Sequence, residues 1–430
     1  MTSASPAPAP ARSLAGSIAI VGALFFVMGF FTWINGPLIA FVQLAFEQDE
    51  VGAFLVVFVF YISYFVFALP ASWVLGRVGL KRGLALSLLV IAAGAAVFGQ
   101  MSTQRWYAGA LSGLFVIGGG LALLQTAANP YISILGPIDA AARRIALMGI
   151  CNKAAGILAP VLLGTLVLHG MGDLKVQVDA ADPATRAQLL DAFAAQIHGP
   201  YLAMAAVLAV AAVAILFSPL PDVRAEVANA DASARADGAT RRSVLGHPHL
   251  LLGVLALFFY VGIEVLAGDA IGTYGSGFGL PLDRTKFFTS LTLGAMLVGY
   301  VLGWMLIPRV LSQQRCLAVS AVLGLLFSLA AWLTHGYVSV GFIAALGLAN
   351  AMMWPTIFPL AIKGLGRHTE AGSALLIMGI AGGAIVPQLF AVLKQHFDFQ
   401  AVFLALALPC YLVILHYALA GHRAGRPPAR

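Results

Sequence analysis

The sequence predicts an all-α membrane protein of about twelve transmembrane helices in two six-helix halves, and three observations carry that prediction. Of 430 residues, 61% are hydrophobic and only 10% charged, too few polar groups to cover the surface of a chain dissolved in water. A helix needs roughly 20 apolar residues to cross the hydrocarbon core of a bilayer, and such runs recur about twelve times. One long polar stretch, 219–248, divides them six and six.

The runs lie near 16 to 42, 52 to 75, 84 to 101, 106 to 132, 146 to 169, 199 to 218, 250 to 274, 286 to 308, 316 to 334, 338 to 362, 371 to 393 and 399 to 420. The opening Pro/Ala stretch, Met1 to Arg12, reads as a tail retained on the mature chain, because the run behind it is too long for the apolar region of a signal peptide. The stretch from Pro219 to about Pro248 is rich in Ala, Asp and Arg with no apolar period, and reads as a linker. The expected organisation is an N-terminal half, 1–218, the linker, 219–248, and a C-terminal half, 249–430.

A net charge of +7 does not indicate nucleic acid here, because in a membrane chain the position of each cation relative to the spans is what counts. If both termini lie inside, seventeen Lys and Arg fall in cytoplasmic segments, among them Arg77, Lys81, Arg82, Arg241 and Arg242. Six fall outside, at Arg105, Lys175, Arg186, Arg284, Lys286 and Lys394, and Lys153 lies within a span. That bias predicts both ends in the cytoplasm, and the expected location is a bacterial inner membrane, crossed many times. Cys151, Cys316 and Cys410 lie in or beside spans without paired spacing, so neither a disulfide nor a metal site is expected. The nine histidines lie mostly at span ends or in loops without ligand spacing, and no nucleophile-base constellation is present, which argues against an enzyme.

Polar groups at membrane depth are expensive unless satisfied, so they are the first candidates for a substrate or ion path. In the first span Thr32, Trp33 and Asn35 precede Gly36-Pro37, where proline frees a carbonyl and predicts a break, either a structural kink or one that also lines a cavity. Gln125 and Asn129 are four apart in the fourth span and share a helix face; their amides suit sugar hydroxyls or, alternatively, helix-to-helix hydrogen bonds. In the fifth span come Asn152 and Lys153, and a lysine two turns into an apolar helix calls for a carboxylate partner or loss of its proton. The seventh span holds Tyr260 and, at Glu264 and Asp269, the only clear carboxylates well inside a span, which are candidates for a proton or sodium site. Asn350 and Trp354, beside Pro355 and Pro359, offer an amide and a platform for the apolar face of a pyranose, with core packing the alternative for the ring. Gln388, after Pro387, is expected at the cavity or in packing.

The two halves echo each other. Asn129-Pro130, Met148-Gly149-Ile150 and Pro160 parallel Trp354-Pro355, Met378-Gly379-Ile380 and Pro387. Parallel repeats of six helices with a site between them near the midplane are the architecture of major facilitator carriers. The turn Gly76-Arg77-Val78-Gly79-Leu80-Lys81-Arg82 partly matches the Asp-Arg-x-Gly-Arg-Lys signature of that superfamily.

The segments Phe25–Ile39 (FFVMGFFTWINGPLI), Gln125–Tyr131, Phe258–Asp269 (FFYVGIEVLAGD), Ala349–Pro359 (ANAMMWPTIFP), Ile362–Gly366 (IKGLG) and Gly372–Pro387 (GSALLIMGIAGGAIVP) strongly resemble the fucose permease and glucose/galactose transporter family. The resemblance covers both halves. It implies an alternating-access hexose carrier, commonly a proton symporter whose coupling carboxylates stand after an Asn in the first span and just before Thr-Ala-Ala-Asn-Pro in the fourth. Here those positions are Gly36 and Gln125, and neither titrates. The remaining ionisable groups inside spans are Glu264, Asp269 and Lys153, so a coupling proton or sodium ion is expected at Glu264 or Asp269.

The expected substrate-binding residues are Asn35, Gln125, Asn129, Asn152, Tyr260, Asn350, Trp354 and Gln388, and the expected partners are a sugar and the bilayer, with a monomeric chain, no nucleic acid and no cofactor beyond the ion. The alternatives are an uncoupled facilitator, an N-acetylglucosamine or fucose carrier, an exporter of the same superfamily, or a sugar sensor without flux.

Overall fold

The computed structural model describes residues 11–134, 141–220, 244–307, 310–365 and 369–425; most of the expected linker, 219–248, lies outside them. Among the described residues all regular structure is helical, and twelve helical stretches are long and apolar enough to span a membrane. The first six are Gly16–Ala45, Glu50–Val78, Leu80–Thr103, Tyr107–Asn129, Leu147–Leu166 and Pro183–Phe217. The second six are Pro248–Gly268, Leu282–Leu306, Gln313–Leu333, Gly336–Ile362, Ala371–Leu393 and Phe399–Leu419. They are called spans 1 to 12 below.

Local chemistry sets several boundaries. Asp49 accepts from the Gly52 N–H ahead of span 2, Asp398 from the Ala401 N–H ahead of span 12, and Asp182 from Ala184 and Thr185 beside Pro183, each a side-chain cap on otherwise orphan amides. Span 1 breaks where Pro37 predicts, with one helix ending at Trp33 and the next beginning at Asn35. Span 10 breaks at Ala351-Met352, span 11 narrows to a 3₁₀ turn at Gly379–Ala381, and span 7 stops at Gly268 before a short helix, Ile271–Ser276. The sequence reading carried span 7 to 274; Asp269 instead stands in the junction.

One region is more ordered than expected. After span 5 the polar residues fold into two helices, Met171–Ala180 and Pro183–Ala195, the second leading into the apolar helix His198–Phe217 of span 6. Glu47 joins Arg105 and Arg186 there, each at 2.8 Å, and the Arg105 Nε donates to the Ala45 carbonyl at the end of span 1. Arg186 and then Arg105 hold the Glu47 carboxyl below its ordinary value of 4.5 by hydrogen bonding its charged form.

Small residues let the helices cross closely, as membrane packing requires. A side chain at Gly29 of span 1 would run into the Asn152 backbone of span 5, and one at Gly382 of span 11 would run into the Phe258 backbone of span 7. These crossings occupy equivalent places in the two halves, as a repeat of six helices demands. The halves meet through span 2 against span 11 and span 5 against span 8, again equivalent pairs. Large apolar side chains such as Val210 and Leu326 point outward from the bundle, as lipid contact requires.

Candidate functional site

The two halves are joined on the face that carries the loop between spans 1 and 2. Glu50 at the start of span 2 pairs with Lys394 beyond span 11 at 2.8 Å, and Gln388 donates to the Val51 carbonyl at 3.1 Å. Lys286 donates to the Leu168 carbonyl at 2.7 Å, and Ser290 to the Ile157 carbonyl at 2.9 Å. A cavity of about 830 Å³, including its opening, lies between the halves on the side away from this latch.

Both halves line it. The first supplies Thr32, Trp33, Tyr61, Tyr64, Gln125, Asn129, Asn152 and Lys153, and the second Tyr260, Glu264, Tyr300 and Trp354. The shared face predicted for Gln125 and Asn129 is thus turned inward, and Tyr64 reaches the side chains of Gln125 and Thr32. Asn152 makes a long 3.4 Å bond to the Phe25 carbonyl, which keeps its amide at the wall. Trp354 stacks on Phe358 with centroids 5.8 Å apart and rings inclined by 20°, so its ring is fixed where it borders the cavity. Amides, hydroxyls and an indole on a mostly apolar wall form the mixture that orients a small polyhydroxylated molecule.

The cavity also contains a charge pair. Lys153 of span 5 meets Glu264 of span 7 at 3.1 Å, with side chains only 7% and 11% exposed, and the ammonium lies 4.3 Å from the centre of the Trp33 ring. The partner that a mid-span lysine calls for therefore comes from the other half of the molecule. Tyr260, one turn before Glu264, stands beside its carboxylate at the cavity wall. Asp269 does not line the cavity. It is 1% exposed, packed against Gly36 in the sealed interface beside the latch.

Three expected binding residues serve elsewhere. Asn35 is fully buried at the break in span 1 and donates to the Thr32 carbonyl. Asn350 accepts from the Tyr411 hydroxyl at 2.9 Å within the second half, and Gln388 belongs to the latch. Asn35 turns to the backbone of its own span, Asn350 faces span 12 and Gln388 stands at the latch end of span 11, because hydropathy finds the span and not the azimuth of each side chain. Conversely, Tyr61, Tyr64 and Tyr300 line the cavity without having been singled out. Tyrosines within apolar runs read as packing; a comparison of equivalent positions in the two halves was the one available signal, since Tyr61 in span 2 and Tyr300 in span 8 occupy corresponding helices.

A family description, Major Facilitator Superfamily, matches residues 21–387. The chain is 34% identical over 406 residues to the glucose/galactose transporter of Brucella abortus (strain 9-941), covering 93% of each, and 29% identical over 382 residues to the L-fucose-proton symporter of Escherichia coli (strain K12), covering 87% of this chain and 86% of that one. Among solved structures, the transporter FucP in its outward conformation superposes with a TM-score of 0.73 at 27% identity, covering 95% of this chain and 99% of that one. Twelve spans in two equivalent halves, a polar cavity between them and this match across most of the chain lead to one conclusion: the chain belongs to the Major Facilitator Superfamily and is a multi-pass membrane transporter, not an enzyme.

Proposed function

We propose that this transporter takes up a hexose of the glucose/galactose type by alternating access, with both termini cytoplasmic and the latched face outside. The observation that carries the reading is the cavity wall itself, where Gln125, Asn129 and Asn152 of one half face Tyr260 and Trp354 of the other. Amides supply both donors and acceptors to hydroxyl groups, and an indole covers the apolar face of a pyranose. The relatives named for glucose/galactose and fucose transport support the same substrate class. The orientation rests on the excess of Lys and Arg in the segments away from the latch.

In this reading the structure is the state closed to the outside, and a sugar released from the cavity leaves toward the cytoplasm. Transport is coupled to a cation at Glu264 or Asp269, because the positions that carry carboxylates in the resembling family are Gly36 and Gln125 here. The test is uptake of labelled glucose, galactose, N-acetylglucosamine and fucose into proteoliposomes under an imposed proton gradient, an imposed sodium gradient, or neither. Accumulation of glucose or galactose above equilibrium under one gradient is expected. Equilibration without accumulation would make the chain a facilitator, and absence of flux for all four sugars would refute the substrate reading.

A further inference from the structure

Three ionisable side chains lie at the centre of the bundle, and only two of them neutralise each other. Lys153 is engaged by Glu264 at 3.1 Å. Asp269 forms no ion pair among the described residues, and neither of its buried oxygens has a hydrogen-bond partner; the Gly36 N–H faces the carboxyl without a well-aligned bond. The titratable groups facing it are Glu264 near the end of span 7, Lys153 from span 5 and Tyr61 from span 2. Span 1 and span 8 contribute Gly36 and Thr289, which do not titrate.

The position of Asp269 matters as much as its isolation. A β-carbon on Gly36 would lie 3.3 Å from the Asp269 Cα and carbonyl oxygen, and would collide with the Thr289 hydroxyl. A carboxylate side chain at position 36 therefore does not fit the closed interface. The interface instead receives its carboxyl group from the opposite half, at nearly the same place. Closure of the halves strips water from Asp269, and an anion buried with neither a cation nor hydrogen bonds is strongly disfavoured relative to the neutral acid. Opening the same face would return the carboxylate to solvent.

We infer that Asp269 is the coupling site of this transporter, taking one proton from the outer solution onto its carboxylate as the condition for closing the outer face. The inference rests on the orientation and transport reading above. With that proton bound, the cluster of Lys153, Glu264 and Asp269 is neutral; without it, the sealed interface holds a net negative charge. The proton leaves toward the cavity, where Glu264 stands about one and a half helical turns back along span 7.

The deciding experiment needs no sugar, so its outcome is separable from that of the substrate reading. Thr289, 2% exposed in the closed interface, is replaced by cysteine (Thr289→Cys) in a chain with Cys151, Cys316 and Cys410 changed to serine or alanine. Labelling by an impermeant maleimide is measured against pH and divided by the rate for the unfolded chain, which removes the thiol's own titration. Linkage of one proton to closure changes the closed-to-open ratio by up to about tenfold per pH unit. The expected result is slow labelling at acid pH and progressively faster labelling as pH rises. In Asp269→Asn, and in Asp269→Ala as a second neutral variant, labelling should be slow and independent of pH, whereas Glu264→Gln should retain a pH dependence. Labelling that is flat with pH in the parent, that keeps its pH dependence in the neutral Asp269 variants, or that responds to sodium in place of protons would overturn the inference.

Discussion

The Lys153–Glu264 pair permits the most quantitative prediction. It joins spans 5 and 7 across the two halves, with side chains 7% and 11% exposed. Removing one member of a buried pair costs about 3–5 kcal/mol, because the other charge is left without compensation. Two features of this site lower that figure: the pair borders the open cavity, and the Trp33 face 4.3 Å from the ammonium retains about 1 kcal/mol of attraction for an orphaned lysine. Glu264→Gln and Lys153→Met should therefore each destabilise the protein by about 2–4 kcal/mol. The double variant should lose less than the sum, with a coupling energy of about 1–3 kcal/mol, since it leaves no isolated charge. Apparent melting temperature in detergent, followed by circular dichroism at one scan rate for all four proteins, gives the ranking. Single variants as stable as the parent, or a double variant that loses the full sum, would refute the claim that the two charges stabilise each other within the bundle.

Other predictions follow from the latch, the cavity and the outer loops. Gly36→Ala places a methyl group against Thr289 and Asp269, so it should shift the protein toward the state open on the outer face, read as faster labelling of a cysteine in that interface. Glu50→Gln should weaken the latch by no more than about 1 kcal/mol, because Glu50 is 37% exposed, and raised salt should diminish the difference from the parent. Trp354→Ala should raise the half-saturating sugar concentration by about tenfold, equivalent to about 1.4 kcal/mol, in the uptake assay. Glu47 has a folded-state carboxyl pKa below 4.5, so its contribution to stability is present above that value and is lost as pH falls through the depressed one. Glu47→Gln should accordingly be less stable than the parent at neutral pH and converge with it in acid, as measured by melting temperature.

The membrane architecture was legible in the sequence because the cost of burying an unbonded backbone in hydrocarbon leaves long apolar helices as the solution, and length with hydropathy identifies them. The break at Gly36-Pro37 was legible for a similarly local reason, since proline removes a donor wherever it sits. Lys153 was readable one step further: a lone cation at membrane depth calls for a carboxylate partner, and of the two carboxylates expected in span 7 the structure supplies Glu264. The fate of Asn35, Asn350 and Gln388 was not readable, because an amide at the right depth serves a cavity or a neighbouring helix depending on the rotation of its own helix, and rotation is set by packing among all twelve. The helices Met171–Ala180 and Pro183–Ala195 escaped notice because they are short and rich in polar residues, and the second is held by the Arg186–Glu47 contact, which joins residues distant in the chain. The position of Asp269 against Gly36 likewise depends on the two halves meeting, a relation that no local pattern encodes.

Counterflow tests the central claim most directly. Proteoliposomes loaded with unlabelled galactose at high concentration are diluted into a trace of labelled galactose with no ion gradient imposed. An alternating-access carrier whose cavity receives the sugar should accumulate label transiently above equilibrium and then lose it, and Gln125→Ala or Asn152→Ala should reduce the overshoot. Entry of label that only approaches equilibrium, or an overshoot unchanged in both cavity variants, would contradict the account.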